Sequence, residues 1–238
     1  MVDSARRVVG FTGAGLSTES GIPDYRSKGG IWERYQPVYF QEFLADEEKR
    51  RTYWERHLAT WPAIRDARPN KGHAFFVSLA RAGRLAGVVT QNIDGLHEQS
   101  GIPAELLVNL HGSARTVVCL QCAARYPSEE IAAAADLSRA IPACAGCGGL
   151  LKPDTVSFGQ PLRPGDIVRA GRMAAGCDLL IAMGSTLIVS PASEIPLAAK
   201  RSGAKLAIVT LSETPLDDEA DIVLNVKIGE LMDALGVA

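Results

Sequence analysis

Three short stretches hold side chains that could do chemistry. In TQNID, directly after the apolar GVV, Thr90, Gln91, Asn92 and Asp94 crowd into five residues. A chain that only has to turn uses Gly, Pro or Ser, so two amides and a carboxylate there need another reason. In NLHG, His111 ends an apolar stretch and precedes Gly112. Strand ends of a parallel sheet face the ligand crevice, and an imidazole there suits a general base. The other histidines read differently. His57 lies among charged residues and is expected in solvent, His73 near a helix start as a capping or packing group, and His97 as support for the turn after TQNID.

The third stretch is split. Cys119 and Cys122 form CLQC, Cys144 and Cys147 form CAGC, and twenty-one residues separate the pairs. Paired C-x-x-C with such a spacer is a zinc-ribbon pattern, one residue beyond the usual window. Four thiolates close a tetrahedral site, so the metal would be structural. Cys177 stands alone at the start of an expected strand. Five cysteines used this way fit a reducing compartment, and the chain reads as cytoplasmic. Net charge is −2 and Arg115 and Arg125 alone make no basic face, which argues against nucleic acid. No apolar run suggests a membrane helix, and VVGF near the start is too short for a signal-peptide core.

The elements that must position these groups alternate. RRVVGFTGAG reads as a buried strand running into a glycine turn, with a short helix start at LSTES. Helices are expected at NKGHAFFVSLARAG, DGLHEQSG, PGDIVRAGRMAAG, ASEIPLAAKRSG and GELMDALG. Strands are expected at LAGVVTQN, ELLVNLHG, CDLLIAMGS, AKLAIVTL and ADIVLNV. Continuous apolar strands alternating with helices imply a parallel sheet covered on both faces. The expected fold is a doubly wound, Rossmann-like α/β sheet over 1–30, 70–112 and 161–238. A helical insert (31–69, punctuated by Pro62 and Pro69) and a zinc-binding module (113–160) interrupt it. GAGLS fills only part of a dinucleotide fingerprint. Gly13 and Gly15 fit, but Thr18 stands where a third glycine belongs, and no clear acidic residue follows about 20 positions on.

Together the motifs resemble those of the sirtuins, NAD-dependent protein-lysine deacylases, from about residue 5 to 235. The resemblance rests on GAGLS, GIPDYR, TQNIDGLH, His111–Gly112, the cysteine pairs, VSFG and GSTL, in that order. It implies that Gln91, Asn92 and Asp94 line the nicotinamide-ribose pocket. Gly13, Ala14, Gly15, Ser17, Thr18 and Arg26 would follow the phosphates and ribose, and Tyr25 would lie over the reacting centre. Gly184, Ser185 and Thr210 would meet the adenosine side. His111 would be the general base, with Asn92 and Asp94 beside it. Val156, Phe158 and Gly159 would pair with the backbone of an acylated protein substrate. The implied products are nicotinamide, free lysine and O-acyl-ADP-ribose, with one structural zinc per chain.

The chain departs from the family pattern at Tyr25 (usually Phe), Gly184-Ser185-Thr186 (usually G-T-S), Thr210 (often Asn) and Gln160 (usually Glu). Tyr53 and Arg56 share a helix face and match a pair found in desuccinylases and demalonylases, which gives one alternative. A mono-ADP-ribosyltransferase is another. A non-catalytic NAD sensor or zinc-ribbon interaction protein is a third, against which the retained His111 and Asn92 speak.

Overall fold

A computed structural model describes residues 1–237. Its main sheet has six parallel strands: β1 (Val8–Thr12), β2 (Leu85–Thr90), β3 (Leu107–Asn109), β7 (Leu179–Met183), β8 (Lys205–Val209) and β9 (Ile222–Leu224), in the order β3-β2-β1-β7-β8-β9. A second sheet has three antiparallel strands, β4 (Gly112–Cys119), β5 (Arg125–Pro127) and β6 (Leu151–Thr155), in the order β5-β4-β6.

Alternation along the main strands explains why both faces are covered. Val9 and Phe11 of β1, Leu180 and Ala182 of β7 and Leu206 and Ile208 of β8 face one core, shared with α7 (Pro164–Ala175) and α8 (Glu194–Arg201). Val8, Val88, Leu179, Ile181 and Met183 face the other, shared with α4 (Lys71–Arg81) and α9 (Ile228–Ala234). The central strands are therefore largely continuous apolar runs, as a two-sided parallel sheet requires, with Thr12, Thr90 and Asn109 at carboxyl ends and Lys205 at the start of β8. From β1 the chain winds outward to β2 and β3, then returns to β7 and winds the other way. The strand order reverses between β1 and β7, where the crevice outside the carboxyl ends binds ligands in such sheets.

The insert and the cysteine module, separate in sequence, share one core. The insert contains α1 (Ile31–Arg34), α2 (Phe40–Ala45) and α3 (Glu47–Asp66). Phe43, Tyr53 and Trp54 pack with Val117, Cys119, Cys144 and Leu151, and the Trp54 indole donates to the Leu151 carbonyl at 3.2 Å. Two local expectations are corrected. Pro62 does not punctuate the insert but lies inside α3. It removes one backbone donor, yet the helix continues because Trp61 and Ile64 beyond it are buried against Ala114 and Trp61 Nε1 donates to Glu129 at 3.0 Å. The helix expected from LSTES is two 3-10 turns, Ala14–Leu16 and Thr18–Ser20, too short for a helix dipole to act there.

Candidate active site

The carboxyl ends of β1, β2, β3 and β7 open into a cleft of about 1170 Å³, closed on its other side by the insert and by the segment after β6. That exceeds the roughly 300–1,000 Å³ of an ordinary single-ligand pocket, so two substrates can meet in it. The cleft is lined by all the sequence-selected residues other than the cysteines: Gly13, Ala14, Gly15, Ser17, Thr18, Tyr25, Arg26, Tyr53, Arg56, Gln91, Asn92, Asp94, His111, Val156, Phe158, Gly159, Gly184, Ser185 and Thr210.

The strand-end wall is held by backbone clamps. Asn92 Nδ2 donates to the Gly13 carbonyl at 3.1 Å and to Ser17 Oγ at 3.2 Å. Asp94 is buried. It accepts from Ser17 Oγ at 2.7 Å and from the Leu96 N–H at 2.9 Å. Burial raises its pKa, against the two hydrogen bonds that favour its charge. Gln91 Nε2 donates to Ser185 Oγ at 2.8 Å, tying the loop after β2 to the loop after β7. The glycines work mainly between these loops. A Cβ on Gly13 would lie 2.7 Å from the Gly184 carbonyl, and one on Gly184 would lie 2.2 Å from the Leu16 nitrogen. Close approach of backbone to backbone explains GAG and Gly184 without a full dinucleotide fingerprint.

His111 Nδ1 lies 3.0 Å from the Gln91 carbonyl. A carbonyl only accepts, so Nδ1 carries the proton and Nε2 keeps its lone pair. Burial lowers the His111 pKa, and the Gln91 bond partly opposes that, so the ring is a neutral base near pH 7. Gly112 beside it adopts φ +74°, and a Cβ there would come within 2.0 Å of the Asp154 carbonyl. Only glycine allows β4 to start this close to β6, which fixes His111 at the cleft.

The opposite wall is aromatic. Tyr25 and Trp32 rings lie 5.1 Å apart, Trp32 and Phe158 6.0 Å, and Phe158 and Tyr39 6.0 Å. Burial pushes the Tyr25 phenol up to about 12, though Arg56 opposes it. The Arg56 guanidinium lies over the Tyr53 ring at 4.8 Å and the Trp32 ring at 5.7 Å, and the Tyr53 hydroxyl is 2.9 Å from Thr155 Oγ1. Tyr53 is thus tied to β6, and Arg56 lies against two ring faces.

His57 is corrected. It is buried, not solvated, set between Trp54 and Trp61 with Nε2 unpartnered, and burial drives its pKa down to about 4. Glu55 beside it stays exposed, while His57 turns inward on the buried side of α3 with Tyr53, Trp54 and Trp61. His73 does cap α4, accepting from the Asn70 N–H at 3.2 Å. His97 lies behind the turn, 2.9 Å from Thr12 Oγ1. Trp32 and Ser157 line the cleft as well and were not singled out from the sequence, and His57, expected in solvent, joins them there. Aromatic clustering in the insert was the only signal for Trp32.

The four cysteines converge away from the cleft. Their sulfurs lie within 4.8 Å of one another, with Cys119–Cys147 and Cys122–Cys144 both at 3.6 Å. Zinc bonded at about 2.3 Å in a tetrahedron places its sulfurs about 3.8 Å apart, so the set fits one ion. Both knuckles turn alike. The Ala123 N–H reaches the Cys119 carbonyl at 3.0 Å and the Gly148 N–H reaches the Cys144 carbonyl at 2.8 Å, with φ +60° at Ala123 and +70° at Gly148.

A doubly wound sheet, a cleft at its switch point and a closed four-thiolate site define an α/β protein with a structural metal lobe. The sequence model of the Sir2 family matches residues 13–191, and the chain belongs to that family. It is 43% identical to "NAD-dependent protein deacetylase 1" of Bradyrhizobium diazoefficiens, over 98% of this chain and 91% of that protein. Two solved structures superpose with a TM-score of 0.87. A complex described as Sir2, p53 peptide and NAD+ is 32% identical, covering 98% of this chain and 93% of that one. A Sir2 homologue mutant with ADP ribose is 38% identical, covering 98% and 91%. Among the described residues no helix is long and apolar enough to cross a membrane.

Proposed function

We propose that this protein is an NAD-dependent protein-lysine deacylase acting in the cytoplasm, with NAD and an acylated protein as substrates. The observation that carries this is His111. Its Nδ1 is committed to the Gln91 carbonyl, which leaves Nε2 free in a cleft shared with Asn92 and Asp94. The acyl-lysine amide oxygen displaces nicotinamide from the ribose anomeric carbon; Nε2 takes the proton from a ribose hydroxyl, which attacks the resulting imidate carbon, and water completes release of free lysine and O-acyl-ADP-ribose. Asp94, oriented by Ser17 and the Leu96 N–H, receives the carboxamide of the leaving nicotinamide, and Asn92 places the ribose. Gln91, Ser185 and Thr210 bind towards the adenosine, and Ala14, Thr18 and Arg26 along the phosphates. Tyr25 shields the reacting carbon from water. Val156, Phe158 and Gly159 offer an edge to which the substrate backbone adds as a strand.

The sheet over 1–30, 70–112 and 161–238 binds NAD. The insert (31–69) and the metal module (113–160) together grip the acylated lysine. Cys119, Cys122, Cys144 and Cys147 hold zinc, which supplies folding energy and takes no part in the chemistry. The desuccinylase or demalonylase and ADP-ribosyltransferase readings are not favoured, since the relatives are named as deacetylases.

The test is mass spectrometry of nucleotide products after incubation with NAD and acetyl-, succinyl- and fatty-acyl-lysine peptides. O-acetyl-ADP-ribose is expected. Nicotinamide release with no O-acyl product would overturn the reading.

A further inference from the structure

Lys152 is fully buried, at 2% exposure, and is one of the largest buried side chains of the protein. No carboxylate lies within ion-pair distance of it among the described residues. The nearby Asp154 is taken by Arg125 and Arg163. Withdrawing an ammonium from water is costly, and a methionine of similar length would fill the same space without that cost. The charge therefore has a task that volume does not explain.

Its contacts indicate the task. Lys152 Nζ donates to the Thr155 carbonyl and, at 3.3 Å, to the Pro153 carbonyl. It sits over the Tyr53 ring at 5.4 Å and the Phe40 ring at 6.0 Å. Thr155 is where β6 ends. Its hydroxyl meets Tyr53, it pairs with Gly112 beside His111, and the next N–H, that of Val156, donates to the His111 carbonyl at 2.9 Å. Two residues on, the Phe158 carbonyl accepts from the Phe40 N–H at 2.9 Å, on the helix whose ring covers Lys152. One ammonium thus fixes the carbonyls at the point where β6 leaves its own sheet and enters the cleft.

We infer that Lys152 is a positioning residue for acyl-peptide binding: it locks the end of β6 so that Val156–Gly159 presents its backbone to the substrate in register with His111. This rests on the deacylase reading above. It goes further by assigning peptide affinity to a lysine that need not touch the peptide. Apart from Tyr25, the residues read as NAD contacts lie on the strand-end wall and do not depend on it.

The test compares wild type with Lys152→Met and Lys152→Arg, measuring KM for an acetyl-lysine peptide, KM for NAD, kcat and Tm. Lys152→Met should raise the peptide KM about tenfold or more, with KM for NAD within about twofold of wild type and Tm not lowered. Lys152→Arg, which keeps charge and donors, should recover most of the peptide affinity. An unchanged peptide KM in Lys152→Met overturns the inference. So does a parallel loss of peptide and NAD affinity with a falling Tm, which would mark a purely structural lysine. If wild type forms no O-acyl-ADP-ribose, the deacylase reading fails and this inference with it. If wild type is active and only the Lys152 results disagree, this inference alone fails.

Discussion

The two walls of the cleft are built by different means. On the strand-end wall nearly every polar group has a fixed partner: Asn92 with Gly13, Asp94 with Ser17 and Leu96, Gln91 with Ser185, His111 with Gln91. The insert wall is made of ring faces and cations, and some of its polar atoms, His57 Nε2 and Ser157 Oγ, have no partner. A group that receives a single invariant cosubstrate gains from being preorganised. A surface that receives many protein substrates needs apolar area and backbone, and fixed side-chain partners would only narrow it. The second wall also depends on the metal lobe, because its helices share a core with the cysteine module.

That dependence gives the largest expected effect. Removing zinc with a strong chelator should unfold the small sheet, since structural zinc contributes on the order of 10 kcal/mol. It should change Trp54 fluorescence and abolish peptide binding, while the six-stranded sheet keeps NAD affinity better. Equal loss of NAD and peptide binding would erase the distinction between the walls. His111→Ala comes next. Loss of a general base should cut kcat by roughly 10²–10⁴-fold, with Kd for NAD nearly unchanged by calorimetry. Near-normal turnover would remove His111 from the role.

Gly112→Ala tests where the walls join. A Cβ at φ +74°, 2.0 Å from the Asp154 carbonyl, forces β4 from β6. It should lower stability by about 2 kcal/mol and activity at least tenfold, because His111 moves with it.

Acid should weaken both walls. His57 and His73 are pushed down to about 4 by burial, and His97 falls well below its usual value, burial first and His73 second. The unfolded chain takes up these protons near pH 6.5 and the folded one does not. Stability is therefore intact above about pH 6.5 and falls with pH by about 1.4 kcal/mol per unit per histidine until near pH 4. Urea titrations at pH 7, 6 and 5 should show it, and His57→Phe should reduce the slope. An unchanged slope would mean that His57 is protonated in the fold.

Ala123→Gly is the smallest effect. Gly148 already relieves the left-handed turn in one knuckle, and Ala123 does not in the other. The substitution should raise stability by about 0.5–1 kcal/mol, read as a small rise in Tm of the zinc-loaded protein.

Strand and helix order of the main sheet was legible because periodicity and glycine punctuation are local, whereas β4, β5 and β6 of the small sheet were not, their residues showing little periodicity. Also legible were the two cysteine knuckles, whose four sulfurs the fold gathers as their spacing implied. Pro62 and His57 were not legible, and for one reason. Both lie on α3, a long helix whose sequence is polar on average, and what the helix packs against comes from 113–160, far along the chain. Lys152 gave no signal at all in GLLKPD, since nothing local marks a lysine that will be enclosed by Tyr53 and Phe40.

The residue string already held the strand-end chemistry: glycines that only close backbone contact explains, the QNID cluster, and a histidine ahead of a glycine. These are short-range facts, set by what each residue can adopt or donate. Packing decided the rest. Which nitrogen of His111 is free depends on a carbonyl twenty residues away. The merging of insert and cysteine module into one lobe depends on a shared apolar core. Long-range burial sets both, and no window of sequence contains it.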